Sequence, residues 1–437
     1  MLRLVGLFLC LALSATLASA DITFGPDPRA LDNAAVFDAR DPLRRAEWTA
    51  LKKSGVTVID LNPTFVMRVE LARASEGGTL LPRYPGTYLD DADLANLRAR
   101  VAEGFTLNYD AGIALSADRC AIGDPAKLGV AAARAEYTHV VSLLHRADIP
   151  VAEISIDGPF LRLVQGSQKG FSCASGTRNR AGQRLSDGAE GKSRAFAAAA
   201  VHAYIEELTA QITARQSRPP AVSLTINLPN WREGRLASAN WPDLQTSISD
   251  MLVSFAAHRQ GAGQLVTWIR IDYPACYLAG TARCGGGTAD TFAAKMAALW
   301  RASRGVNGTR PPPAFAVIAN DTGGRVACMP PQAIPLFLAY RNYRDQSITR
   351  DSPAPAPDAY TTPDRACQIA QRDGPDRQFI NRSFAYAQSL TKGPLAARLR
   401  QADPSLKISR IAFQSWGISP MSNLWYIGQI RRYAEQQ

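Results

Sequence analysis

The chain has 437 residues, 46% of them hydrophobic, and a net charge of +11 at pH 7. That length suits one large α/β barrel or two modest domains. The basic residues form no dense run and no aromatic RNA-binding pattern accompanies them, which excludes nucleic acid as an expected partner. The basic excess suits acidic polymers such as polysaccharides, or equally an ordinary solubilising surface.

Residues 1–20, MLRLVGLFLCLALSATLASA, have a basic start, an apolar core and a small-x-small ending at Ala18-Ser19-Ala20. They read as a secretory signal peptide cleaved before Asp21, because the apolar run is short for a membrane span. No later segment is long and apolar enough to span a bilayer. The expected mature protein is secreted or periplasmic, with no stable membrane insertion. Its net charge falls by one with Arg3.

Eight strand–helix units follow in chain order. AAVFDAR (34–40) is the expected first strand, before a helix at about 42–54. VTVIDLNP (56–63), FTLNYDAG (105–112), VAEISIDGP (151–159) and AVSLTINLP (221–229) come next, then VTWIRIDYP (266–274), FAVIANDTG (315–323) and ISRIAFQSWG (408–417). Each of these seven runs ends in a polar residue at or beside Pro or Gly. Helical patterns occupy 90–103, 125–147, 193–216, 244–259, 288–304, 377–402 and 423–435, with Pro125 in a first turn and Ser193 and Thr288 as caps. The expected fold is therefore α/β, a (β/α)8 TIM-like barrel over 21–437 as a single domain. Loop insertions are expected at about 165–192 and 324–376. No glycine-rich phosphate loop follows any strand, which weighs against an open doubly wound sheet.

Six cysteines remain after cleavage: Cys120, Cys173, Cys276, Cys284, Cys328 and Cys367. An even count in an exported chain predicts disulfides in the long βα loops. Pairing between neighbours in sequence gives Cys120–Cys173, Cys276–Cys284 and Cys328–Cys367. Zinc is the competing reading, but CxxC spacing is absent.

Alternation along the strands separates a polar face from an aliphatic one. Glu153, Ser155 and Asp157 share a face, as do Trp268, Arg270 and Asp272, Ser223, Thr225 and Asn227, and Thr106, Asn108 and Asp110. In a barrel the polar face points to the axis. Asp157 and Asp272 end their faces before Gly158-Pro159 and Tyr273-Pro274 and are the leading catalytic candidates. Two carboxyls facing one cleft suffice for acid/base or nucleophilic cleavage of a glycosidic bond, although an Asp in that position also caps loops. Glu153 and Arg270 lie two residues deeper and need partners, each other included. Arg270 beside Asp272 would keep it ionised as nucleophile or base, leaving Asp157 as the acid, an assignment that can also run in reverse. Asp110 and Asp321 are reserves, with Asp60 behind them.

Around these acids, Trp231, Tyr273 and Trp416 can stack on sugar faces, with Trp241 contributing from a loop. Asn227, Asn230 and Gln414 can bind hydroxyls. The tryptophans equally suit plugs at the barrel mouth. All four histidines, His139, His145, His202 and His258, fall in helical patterns, and no G-x-S-x-G elbow occurs. Both facts argue against zinc and Ser-His-Asp hydrolysis. No cofactor is expected.

The cadence, the strand-end carboxyls Asp157 and Asp272, the Arg270-x-Asp272 pair and Trp416 on the last strand resemble the exported TIM-barrel glycoside hydrolases. Arg-x-Asp at a strand end is similar to the nucleophile strand of some retaining glucan hydrolases. The Glu or His that would accompany it is missing from the following strands. The Asn-Glu-Pro acid motif of another large group is absent too: Asn227-Leu228-Pro229 carries Leu in that place. The resemblance implies a glycosidase acting on a polysaccharide or oligosaccharide. The alternative is a silent carbohydrate-binding barrel that handles envelope polysaccharide through Trp231 or Trp416.

Overall fold

The computed structural model describes residues 20–26, 36–38, 40–62, 91–116, 122–164, 193–231, 241–258, 266–278, 287–304, 312–321, 374, 376–415 and 420–437. Eight strands close into one barrel in chain order: β1 (Asp21–Gly25), β2 (Val58–Leu61), β3 (Thr106–Ala111), β4 (Glu153–Asp157), β5 (Ala221–Asn227), β6 (Val266–Asp272), β7 (Ala314–Ala319) and β8 (Ile408–Gln414). Every neighbouring pair is parallel. All strand C-termini consequently open on one face, where a TIM barrel places its chemistry.

The first strand is not the expected one. DITFG (21–25) closes the barrel, pairing with β8 from Asp21 opposite Arg410 to Gly25 opposite Gln414. Val36 and Phe37, from the expected strand at 34–40, are buried instead against the helix that follows. The Val36 carbonyl accepts from Trp48 Nε1 at 2.8 Å, and the Phe37 ring stacks on Trp48 at 5.9 Å. Their apolar character covers a tryptophan rather than a sheet neighbour.

Helices follow the strands: α1 (Pro42–Lys53), α2 (Asp91–Ala102), α3 (Pro125–Glu136), α4 (Arg194–Thr213), α5 (Trp241–His258), α6 (Ala289–Arg304), α7 (Arg377–Thr391), α8 (Pro394–Ala402) and α9 (Pro420–Glu435). Asp41 and Asp124 cap α1 and α3 ahead of first-turn prolines, and Ser193 Oγ accepts from Phe196 N at 3.2 Å to start α4. Thr288 Oγ1 does the same for Thr291 N at 3.0 Å. The helix expected over 377–402 is two, divided at Gly393-Pro394, because a proline cannot continue the hydrogen-bond ladder. α3 runs on through a π turn (Tyr137–Val141) into a last turn (Ser142–Arg146).

The core lies between the outward strand faces and the helices. At the β8–β1 seam, Phe24 meets Trp48 at 5.9 Å and Tyr426 at 5.7 Å. Phe413 meets Tyr433 at 5.3 Å and Phe384 at 4.8 Å. Each such ring contributes about 1.5–3 kcal/mol by burial, which holds the chain's two ends together.

Cys276, in a helical turn (Ala275–Leu278) just past β6, is disulfide-bonded. Its partner lies outside the described residues, as do Cys120, Cys173, Cys284, Cys328 and Cys367 and the expected insertion at 165–192. Of the insertion at 324–376 only residues 374 and 376 are described. Among the described residues no helix is long and apolar enough to cross a membrane.

Candidate active site

The barrel axis is filled from the floor upward by polar side chains that satisfy one another. At the floor, Arg410 donates to Glu153 Oε2 at 2.6 Å and to Asp21 Oδ2 at 2.8 Å. Its guanidinium lies 4.1 Å from the Trp268 ring centroid, and Ser223 donates to Glu153 Oε1 at 2.5 Å. Burial works against the Arg410 charge, but Glu153, Asp21 and Asp60 outweigh it and raise its pKa further. One layer up, Arg270 Nη2 meets Asp60 Oδ2 at 2.8 Å and Nη1 donates to Ser155. Asp60 also accepts from Thr23 Oγ1 at 3.0 Å and Asn108 Nδ2 at 2.7 Å. Gly25 makes room for this layer, since a Cβ there would stand 2.7 Å from Asp60 Cβ.

Glu153 and Arg270 are therefore ion-paired, but with Arg410 and Asp60 rather than with each other. Both are buried beneath the strand ends, at 5% and 1% exposure. Asp60 is likewise taken up by three donors.

The mouth differs. Asn227 Nδ2 donates to Asp157 Oδ1 at 2.9 Å, so β4 and β5 present one hydrogen-bonded unit. Asp272 is buried, and burial together with the charge of Asp157 pushes its pKa up to about 7. A bond from Asn320 Nδ2 at 3.4 Å and the charge of Arg270 pull the other way without cancelling this. Arg270 therefore does not keep Asp272 ionised: its two terminal nitrogens are engaged by Asp60 and Ser155, and desolvation dominates at Asp272. Of the pair, Asp272 is the one suited to carry a proton near neutrality.

Asp110, next to last in β3, is half-buried. Asp321 is 3% exposed beyond β7, its Oδ2 taken by Arg382 from α7. Tyr273 packs among Tyr277 and Phe292 at 5.6 and 4.8 Å, and burial raises its phenol. Trp231 is 2% exposed, with its carbonyl accepting from Lys295 at 2.5 Å. Trp241 is buried too, with Lys295 Nζ 5.0 Å from its ring centroid. Trp416 lies outside the described residues; Gln414 ends β8 half-buried.

Sequence reasoning passed over three groups. Asn320 bonds Asp272, and its place beside Asp321 was the available signal. Tyr386 from α7 is buried, and its phenol is raised by burial and then by the charges of Asp272 and Tyr273. Glu136, fully buried on α3, accepts from Tyr109 Oη at 2.9 Å, Tyr204 Oη at 2.8 Å, and the amides of Gly112 and Ala114 at 3.0 Å. It ties down the turn after β3, where Gly112 takes φ +100. Among the described residues no group of His, Cys, Asp and Glu could hold a metal ion.

No protein-family model matches the chain, and no curated protein matches it. Solved structures similar to it include a GH18 chitinase from Pseudoalteromonas aurantia, at 10% identity and TM-score 0.40, covering 95% of this chain and 100% of that one. A β-glucosidase from Thermotoga maritima in complex with castanospermine is 8% identical at TM-score 0.41, covering 95% and 98%. A conserved exported protein from Bacteroides fragilis is 11% identical at TM-score 0.39, covering 90% and 69%. Likenesses this distant carry no argument about activity, and the barrel stands on its own strand pairing.

Proposed function

We propose that the chain is an exported glycoside hydrolase that cleaves an oligosaccharide or polysaccharide without a cofactor. The observation that supports it is the carboxyl pair at the ends of β4 and β6, in which the charge of Asp157 and burial hold a proton on Asp272 to about pH 7. A carboxylic acid kept protonated beside a carboxylate is the equipment for breaking an acetal bond.

In this reading Asp272 gives its proton to the departing glycosidic oxygen as the bond to the anomeric carbon breaks. Asp157, oriented by Asn227, faces the positive charge that develops there and directs the sugar to water. Water supplies the hydroxyl of one product, and its remaining proton returns to Asp272. The charge of Asp157 favours that return, because two adjacent carboxylates repel. Export is part of the proposal. Cleavage after Ala20 would remove nothing from the barrel, since β1 begins at Asp21.

The strand ends carry Asp110, Asp157, Asp272 and Asp321, so uronic-acid polymers are disfavoured despite the basic chain. The binding-only alternative leaned on Trp231, which is buried, or on Trp416, which lies outside the described residues. Digestion of a glycan panel read by mass spectrometry tests the proposal: products are expected from the wild type and none from Asp157→Asn or Asp272→Asn. Full activity in both variants would overturn it.

A further inference from the structure

The turn after β3 is held from behind by one buried acid. Glu136 closes α3 at 0% exposure, and the helix passes into its π turn at the next residue, an irregularity found mostly at functional sites. Gly129 lets α3 approach α4, since a Cβ there would meet Ala200 O and Tyr204 N closer than contact allows. Glu136 lies seven residues on, two turns along the same face, beside Tyr204. Its Oε1 accepts from Tyr109 Oη at 2.9 Å and Gly112 N at 3.0 Å. Its Oε2 accepts from Tyr204 Oη at 2.8 Å and Ala114 N at 3.0 Å. Gly112 N is shared with Tyr204 Oη at 3.0 Å. Among the described residues Glu136 has these four donors and no cation, and burial raises its pKa. A glutamine would fill the same space without burying a charge, but its amide has one accepting oxygen in place of two. The four donors need the carboxylate.

This turn rests on Asp157. Ala111 stands opposite Ile156 in the β3–β4 register, so Gly112 comes level with Asp157. A Cβ on Gly112 would stand 3.4 Å from both Asp157 N and Asp157 O, and 3.0 Å from Ile156 Cγ2. In the barrel β3 borders β4 on the side away from β5 and β6. Asp157 thus has Asn227 of β5 on one flank, bonded at 2.9 Å, and the Gly112 backbone on the other. Its charge acts on Asp272 of β6, and two such carboxylates drive each other apart. The Gly112 turn stands where Asp157 would retreat.

We infer that Glu136 is a positioning residue for Asp157, holding the Gly112 turn against β4 so that Asp157 cannot draw back from Asp272. It acts through the backbone and touches no substrate. The kinetic consequence rests on the glycosidase reading; the placement of Asp157 rests on geometry alone.

The test reads the Asp272 titration by carboxyl-carbon NMR of aspartate-labelled mature protein. It is joined to kcat and KM on whichever of glucose, xylose, galactose and N-acetylglucosamine oligomers is cleaved fastest. In Glu136→Gln the released turn lets Asp157 draw back, so Asp272 should titrate lower than in wild type, part of the way to Asp157→Asn. The kcat should fall about tenfold or more, as for a small misplacement at a reacting centre, with KM changed less than about threefold. Gly112→Ala should lower kcat to a similar degree with the carboxylate in place. Leu51→Ala is the control: it truncates a fully buried side chain on α1, across the barrel. It should lower the melting temperature at least as much without moving the Asp272 titration. Melting curves establish which variants are folded. Should Glu136→Gln not fold, Tyr204→Phe removes two bonds at the turn and carries the same expectation at smaller size. An unchanged Asp272 titration in folded Glu136→Gln or Tyr204→Phe, an equal shift in Leu51→Ala, or wild-type kcat in folded Gly112→Ala would overturn the inference. Absence of cleavage across the panel would overturn the glycosidase reading and leave the titration to decide this one.

Discussion

The floor and the mouth of this barrel are built from the same residue types and treat them in opposite ways. Below, Arg410 faces Glu153 and Asp21, and Arg270 faces Asp60, with Thr23, Asn108, Ser155 and Ser223 filling the remaining bonds. Arg270 Nε and the hydroxyl of Thr225, its register partner on β5, are left without a hydrogen bond in that layer. Above, Asp157 and Asp272 repel each other, and Asn320, Asp321 and Tyr386 each keep a polar atom unbonded. Paired buried charges hold a structure in one arrangement; unpaired ones cost stability and persist where they serve a ligand or a reaction. The contrast separates acids that are paired within the barrel from the acids that the proposed reaction would use.

The largest expected effect falls on the mouth. Asp157→Asn and Asp272→Asn should each lower kcat/KM by about a thousandfold, within the range for a lost acid or base. Both proteins should still fold, as circular dichroism will show. At the floor the signs exchange. Arg410→Met leaves the buried Glu153 without its cation and should cost about 3–5 kcal/mol in urea unfolding, whether or not a glycan is present.

Asp272→Asn sharpens the comparison through pH. Below pH 4 the carboxyl is protonated in both the folded and unfolded chain and contributes nothing. Between about 4 and 7 the folded chain keeps a proton that the unfolded chain releases, so stability falls as pH rises through that window. Lifting the group from 3.8 to about 7 corresponds to a penalty on the order of 4 kcal/mol. The variant should therefore melt higher than wild type at pH 8 and match it at pH 4. A smaller effect is expected at Glu136→Gln, which weakens the clamp on the β3 turn by about 1–3 kcal/mol. Smallest of all, Arg98→Ala breaks an exposed pair with Asp148 and should change stability by less than about 0.5 kcal/mol.

Much of the frame was legible because each βα unit announces its strand end with a polar residue before Pro or Gly. β1 escaped notice because its five residues sit directly behind the apolar stretch at 1–20, although Gly25-Pro26 carries the same punctuation. Alternation placed Asp157, Asp272, Glu153 and Arg270 on inward faces. It could not say who meets whom: Arg270 on β6 reaches across the axis to Asp60 on β2, and Glu153 on β4 to Arg410 on β8. Such partners depend on the barrel's stagger, which no single strand encodes. The roles of the two catalytic candidates were hidden for the same reason, since Arg270 is turned toward Asp60. Tyr386 was out of reach, because its helical position looks like any other core-facing site on α7.

The central claim is that the mouth keeps a proton on Asp272 because burial and Asp157 outweigh the cations below. Carboxyl-carbon NMR of aspartate-labelled protein measures it directly, with Asp272→Asn assigning the resonance. The account predicts titration near pH 7 in the wild type and a lower value in Asp157→Asn. An Asp272 that titrates near 4 in both proteins would contradict it.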